Sequence, residues 1–259
     1  MPGQILPGIF VCLVCFWVGI GHTADCPPQT TLSPARVVSI TDGDTLRLGD
    51  GRRLRLLAIN APELGREGRS DDPFAVTAKQ TLAAKITNQR VFLHDHGEDR
   101  YGRRLVSVFQ RADGGHLGAE MLAAGMAWYI AVPPQVSPYR ACLRRIEAMA
   151  AAQKIGVWSQ PALRSTALTM RDQGFQRVTG RLLRIDRSRS AMWLEMEGDL
   201  VLRLANADRP HFSQDLDTLV GRQLEVRGWL MSRRPPRPEM ARFKMDLRHP
   251  DMLNCLDCP

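Results

Sequence analysis

From Arg36 to Asn60 apolar residues recur in short runs with alternating stretches such as "RLRL" (Arg53–Leu56). The alternation breaks at "DGD" (Asp42–Asp44) and "GDG" (Gly49–Gly51), residues that favour turns and tolerate positive φ. The pattern predicts a three-stranded meander. In "RRLRLL", Leu54 and Leu56 alternate with Arg53 and Arg55, so Arg55 is expected on the face away from the core. "DDPFAVTAKQTLAAKI" then changes to a helical period. Phe74, Ala78 and Leu82 form its stripe, Asp72 suits the cap and Pro73 the first position. "RVFLHDH" and "RRLVSVFQ" predict two more strands, joined by "GEDRYG". "HLGAEMLAAG" predicts a short helix stopped by Gly125. "SPYRACLRRIEAMAAAQKIG" predicts a longer helix, capped by Ser137, with Pro138 first and Gly156 at its end. Its Cys142, Ile146 and Met149 fall on one side. Met149 and Trp158 are expected in the core.

Periodicity fades in Ser159–Gly174, which reads as a linker. Short alternating runs then return: "RVTGRLLRID", "AMWLEMEG", "DLVLRLAN", "RQLEVRGWL" and "RFKMDLRHP". They predict a second, mostly β domain, a small barrel. "SRRPPRP" (Ser232–Pro238) between two of these strands reads as a basic loop. The expected organisation is an N-terminal segment 1–24, a first domain 25–160, a linker 161–174 and a second domain 175–259.

Composition adds two constraints. The net charge is +8, and 31 of the 35 basic residues are Arg, which favours a polyanionic partner without establishing one. The charge is even: the chain up to Leu163 and the chain after it each carry +4, so neither is a basic tail. Ile5–Ile20 is an apolar run without charge, too short for the ~20 residues of a spanning helix. It reads as the core of a signal peptide, and so as export to the periplasm or medium. An uncleaved inner-membrane anchor through residues 5–20 is the alternative. Beyond this run stand Cys26, Cys142, Cys255 and Cys258, an even number for an oxidising compartment. Three connectivities are possible. Cys26 with Cys142 and Cys255 with Cys258 is preferred, and no second CxxC exists to complete a zinc site.

Three pieces, "TDGDTLRL", "LRLLAINAPE" and "DRYGRRL", stand in one order at workable spacing. Together they resemble the staphylococcal nuclease (thermonuclease) family, over roughly residues 36–158 and through the helical ending "EAMAAAQKIGVW". The fold this implies is α+β: an OB-type five-stranded barrel with three helices. The C-terminal half, "VTGRLLRID…VLRLAN…VGRQLEVRGWL…MDLRHPDML", is similar to a β domain often appended to bacterial members and is expected to be OB-like. The implied activity is exported, calcium-dependent hydrolysis of DNA or RNA with low sequence preference, leaving 3′-phosphate ends. A monomer with no obligate protein partner is expected.

The chemistry requires a cation, a water aimed in line and donors for charge growing on the phosphoryl oxygens. The resemblance places the metal aspartate on Asp44, the phosphate-binding arginines on Arg55 and Arg103, and the general-base glutamate on Glu63. Tyr101, with Arg100 beside it, is the implied substrate contact. The second metal aspartate falls on Asn60, a departure, with the Ala61 carbonyl beside it retained. An amide oxygen still suits calcium but removes one negative charge, a gross Coulomb term of roughly 10 kcal/mol at ~3 Å and an effective dielectric of 20, mostly offset by desolvation. A weaker calcium site is expected.

Each piece also has a plain reading: "DGDT" as a hairpin turn, "NAPE" as a helix start, "DRYGR" as a solvated turn. His94 and His96 share one strand face and read as a solvated or hydrogen-bonded pair rather than a zinc site. Two rival functions stand beside the nuclease: a nucleic-acid-binding protein of the same fold, weak in catalysis, and a membrane-anchored envelope interaction module.

Overall fold

The computed structural model describes residues 26–65, 68, 70–86, 89–233 and 240–258. The apolar run 5–20 and most of the basic loop 232–238 therefore lie outside the described residues. Among the described residues no helix is long and apolar enough to cross a membrane.

The first half carries strands β1 (Ser33–Ile40), β2 (Thr45–Leu48), β3 (Arg53–Leu56) and β4 (Ile59–Asn60), then helix α1 (Ala75–Lys85). Strands β5 (Arg90–Glu98), β6 (Arg104–Arg111) and β7 (Gly114–His116), helix α2 (Leu117–Ala123), strand β8 (Trp128–Tyr129) and helix α3 (Arg140–Ala152) follow. Sheet order β3-β2-β1-β5-β6 is closed by a parallel pairing of β3 with β6. The result is a closed five-stranded barrel with three helices, the expected OB-type fold. Leu46, Leu54, Val91, Val106 and Val108 fill it. Cys26 and Cys142 are joined in a disulfide that ties the described N-terminus to α3.

The second half holds β9 (Leu163–Arg164), β10 (Gly174–Arg187), β11 (Ala191–Met196), β12 (Leu200–Ala205), β13 (Gln223–Ser232), β14 (Phe243–Asp246) and β15 (Leu253–Cys255). All five expected strands are present as β10 to β14. Their order β10-β11-β12-β14-β13 is closed by pairing of β13 with β10. The pairing directions repeat those of the first ring, including a parallel contact between third and fifth strands, β12 with β14. Alternation delivers Leu200, Leu202, Leu204, Leu224 and Val226 to the interior. Cys255 and Cys258 form the second disulfide.

Four local expectations are corrected. The 159–174 stretch carries β9, which pairs in parallel with β10, and buries Ser165 and Leu168. Helix α3 begins at Arg140, with Ser137 Oγ accepting from Tyr139 N at 3.2 Å rather than capping a helix. Met149 is exposed and Glu147 is buried on its inner side, because the inner face meets a cation of the other barrel. Trp158 is half-buried, with the Arg177 guanidinium 4.4 Å from its ring.

Candidate active site

The site begins at Gly43. A Cβ there would stand 2.6 Å from Ala61 Cβ and 2.7 Å from Ala78 Cβ. Close approach, not positive φ, is what calls for glycine in this turn. The β1–β2 turn is thereby pressed between the entrance of residues 60–61 and α1. Asp42 Oδ1 accepts from Asp44 N at 3.0 Å and locks the turn. The Asp44 carboxylate accepts from Ala61 N at 2.7 Å and from Thr45 Oγ1 at 3.0 Å. Its Oδ2 also lies 3.0 Å from Arg55 Nη2.

Arg55 reaches Asp44 because Thr45 stands opposite Arg55 in the β2–β3 register. The side chain leaves the face of Leu54 and Leu56 as alternation requires, but it is buried, not solvated. After β3 the chain turns back through Ala58, at φ 67°, and lays Asn60 over the guanidinium. Arg55 Nη1 donates to Leu56 O at 2.9 Å and Ile59 O at 2.7 Å, and Nη2 donates to Asn60 Oδ1 at 3.0 Å. Asn60 Nδ2 donates to Ala61 O at 3.4 Å.

Burial pushes the Asp44 carboxyl up to about 7; Arg55 and the Ala61 amide pull it down, while Asp42 and Glu63 push it up. The Arg55 guanidinium pairs with Asp44, and Asp42 and Glu63 add negative charge around that carboxylate. Carboxylate, amide and backbone carbonyl oxygens of Asp42, Asp44, Asn60 and Ala61 are the donor types that a hard cation takes. The set fits calcium. Among the described residues, the one trio of His, Cys, Asp or Glu ligand atoms within 4.8 Å of one another is Cys255, Asp257 and Cys258. Two of those sulfurs are bonded to each other, so that trio is no alternative metal site.

In front of the buried cluster opens a cavity of about 590 Å³. Asp42, Glu63 and Arg103 line it. Three sequence-distant loops therefore meet at one opening, with Asp44, Arg55 and Asn60 behind it. Arg103 is fixed by Asp99, whose Oδ2 accepts from Nε at 2.8 Å. Arg100 and Tyr101 are not part of the cavity wall; Tyr101 is 59% exposed, with the guanidinium carbons of Arg100 and Arg103 4.9 and 5.6 Å from its ring. His94 and His96 lie elsewhere, hydrogen-bonded to Tyr139 Oη at 3.1 Å and Ser107 Oγ at 3.0 Å, as a paired reading expects.

Sequence reasoning overlooked three members of the cavity wall: Arg47, Arg53 and Asp72. Arg47 and Arg53 stand directly opposite each other across β2 and β3. Like charges so placed repel, and Arg53 Nη2 donates to Tyr101 O at 2.7 Å. Asp72 does not cap α1, whose first cap residue is Phe74 in a left-handed conformation. Its Oδ2 accepts from Glu63 N at 3.0 Å, and its own amide donates to Glu63 O at 2.9 Å. Asp71 Oδ1 accepts from Gly65 N at 2.7 Å. The two carboxylates hold the Glu63 loop instead of the helix, because the left-handed turn at Phe74 separates them from it.

Comparison with known proteins follows the same lines. The profile described as "Staphylococcal nuclease homologue" matches residues 53–160. A protein named "Micrococcal nuclease" from Shigella flexneri is 35% identical over 138 residues, covering 48% of this chain and 73% of that protein. The chain belongs to the staphylococcal nuclease family. A "Probable endonuclease LCL3" from Phaeosphaeria nodorum is 34% identical over 114 residues, 42% of this chain. The chain spans 38% of that fungal protein's length and 43% of its counterpart from Verticillium alfalfae. The nuclease family profile begins after Asp42 and Asp44. Their place in the site rests on the geometry that joins them to Arg55 and Ala61.

Proposed function

We propose that this chain is a calcium-dependent nuclease that hydrolyses phosphodiester bonds of DNA, RNA or both, with low sequence preference and 3′-phosphate products. The supporting observation is the meeting of Glu63, Asp42 and Arg103 at one cavity backed by Asp44 and Arg55. Relatives named micrococcal nuclease and endonuclease support the same reaction class.

Glu63 orients the attacking water and accepts its proton. A free Glu has a pKa near 4.3 and bulk water about 15.7, so the carboxylate alone is a poor base. Bound calcium supplies the missing part, by acidifying water and offsetting phosphoryl charge. Asp44, with Asn60 and the Ala61 carbonyl, would hold it. Arg103 grips the phosphate through the part of its fork that Asp99 leaves over, and Arg47 and Arg53 extend the cationic wall. Arg55 organises Asp44 and Asn60; to touch phosphate it must exchange one of its present bonds. Asp72 keeps Glu63 at the opening. Work outside the cytoplasm is the reading that two disulfides favour.

The test incubates the purified chain with single- and double-stranded DNA and RNA, in calcium or chelator, beside Glu63→Gln and Arg103→Ala. Cleavage that needs calcium and both side chains supports the reading. Salt-dependent binding that persists in chelator, with no cleavage in calcium, would replace it with a binding protein.

A further inference from the structure

The strand that carries Asn60 is not held by its own barrel alone. In the β4–β8 pair Asn60 stands opposite Trp128 and Ile59 opposite Tyr129. Ile130 N donates at 2.9 Å to the carbonyl of Ala58, the residue in the left-handed conformation. Residues 128–131 are therefore the surface on which 58–60 rests. That surface is gripped from behind. Tyr129 N donates to Glu147 Oε1 at 2.6 Å. The ion-pair partner of buried Glu147 is Arg227 on β13 of the second barrel, bidentate at 2.7 and 2.9 Å. Trp128 packs on Phe175 of β10 with ring centroids 5.2 Å apart, and Ile130 belongs to the second barrel's core.

A carboxylate as enclosed as Glu147 needs a cation. Without Arg227 its charge is left unpaired, and the side chain must turn towards water. That turn removes the acceptor that Tyr129 N relies on, and the β4–β8 pair loses its backing. From Arg227 the contacts run through Glu147, Tyr129 and β4 to Asn60, then through Arg55 to Asp44.

We propose that the second barrel positions the Asn60 end of the site in the first, with Arg227 as a positioning residue acting through Glu147 and residues 128–131. This rests on the reading of Asp44 and Asn60 as the calcium site. It assigns the appended barrel a role that needs no contact with nucleic acid.

The test uses the full chain carrying Arg227→Ala or Arg227→Lys, with Arg184→Ala, an exposed residue of β10, as control. Hydrogen–deuterium exchange without calcium reads 58–61 and 129–131; calorimetry reads calcium affinity. Arg227→Ala is expected to speed exchange at those residues while β1 to β3 keep their protection, and to weaken calcium binding about tenfold. Arg227→Lys keeps the charge but loses the fork, and should fall between. It carries the test if Arg227→Ala does not fold. Unchanged exchange at 58–61, or uniform acceleration across both barrels, would overturn the proposal. Wild-type calcium binding that Asp44→Asn leaves intact would instead refute the calcium reading, and exchange alone would then decide whether Arg227 positions β4.

Discussion

The turn between β1 and β2 and the turn between β10 and β11 occupy the same place in two rings of the same strand order. In the first, Asp42, Gly43 and Asp44 are buried; in the second, Ser188, Arg189 and Ser190 are exposed. Strand order alone does not explain the difference. The first turn is covered by α1 and by the doubled-back β4, with Ala78 and Ala61 against Gly43. The second has no such cover, and its ion pairs sit at the surface or face the first barrel. Burying Asp44 with Arg55 costs desolvation that their attraction only partly returns. The second ring leaves the corresponding turn exposed and does not bear that cost there. Two rings of one strand order thus differ in what covers the same turn, not in the ring itself.

The largest effect that would break this contrast is catalytic. Glu63→Gln should lower cleavage by about 10²–10⁴-fold, the usual range for a general base, with the fold unchanged by circular dichroism. Arg189→Ala, at the corresponding exposed turn of the second barrel, should leave cleavage rates as they were. Equal losses from both would show that the second turn shares the chemistry.

The disulfides sharpen the contrast in stability. Cys26–Cys142 spans 116 residues and Cys255–Cys258 only 3. By loop-closure entropy the first contributes roughly 4–5 kcal/mol and the second about 1–2. Cys26→Ser with Cys142→Ser should lower the melting temperature strongly, and Cys255→Ser with Cys258→Ser slightly. A reversed order would mean that native strain outweighs chain entropy.

Gly43→Ala tests the covered turn itself. The added methyl meets two Cβ atoms below 3.0 Å and the Ala78 backbone at 3.4 Å, so α1 or residue 61 must shift. A loss of about 1–3 kcal/mol is expected, with weaker calcium binding, because Ala61 N is the donor to Asp44. Ser190→Ala at the open turn should be neutral in the same denaturant titration.

What was legible beforehand divides along a physical line. Strands β10 to β14 and the barrel interiors follow from alternation, which reports burial directly. Caps and partners do not. Asp72 has the right type and spacing for a helix cap, yet it serves Glu63, because a carboxylate before a helix binds whichever amides the preceding turn presents. Nothing in the local pattern marks Glu147 as buried, because its cation, Arg227, stands 80 positions away. Arg55 was rightly placed off the core face, but its burial depends on β4 folding back through Ala58, which local pattern does not encode. Arg47 and Arg53 were visible as residues, not as a facing pair, since register is a property of the hairpin.

The smallest predicted effect concerns Asn60, where the resemblance leads one to expect an aspartate. Its amide currently joins Arg55 to the Ala61 carbonyl, accepting from one and donating to the other. Asn60→Asp keeps the acceptor towards Arg55 and gives up the donor, which frees the Ala61 oxygen. It also adds a carboxylate beside the buried Asp44, so the apo protein should be somewhat less stable. With calcium present the balance reverses, since the same charge is neutralised and a backbone oxygen becomes available. Calcium affinity should rise roughly tenfold, about 1.4 kcal/mol, offset in part by desolvation of the new carboxylate. Calorimetry showing no gain would remove residue 60 from the metal's surroundings and leave Asn60 as a brace for Arg55, closer in kind to the purely structural polar groups of the second barrel.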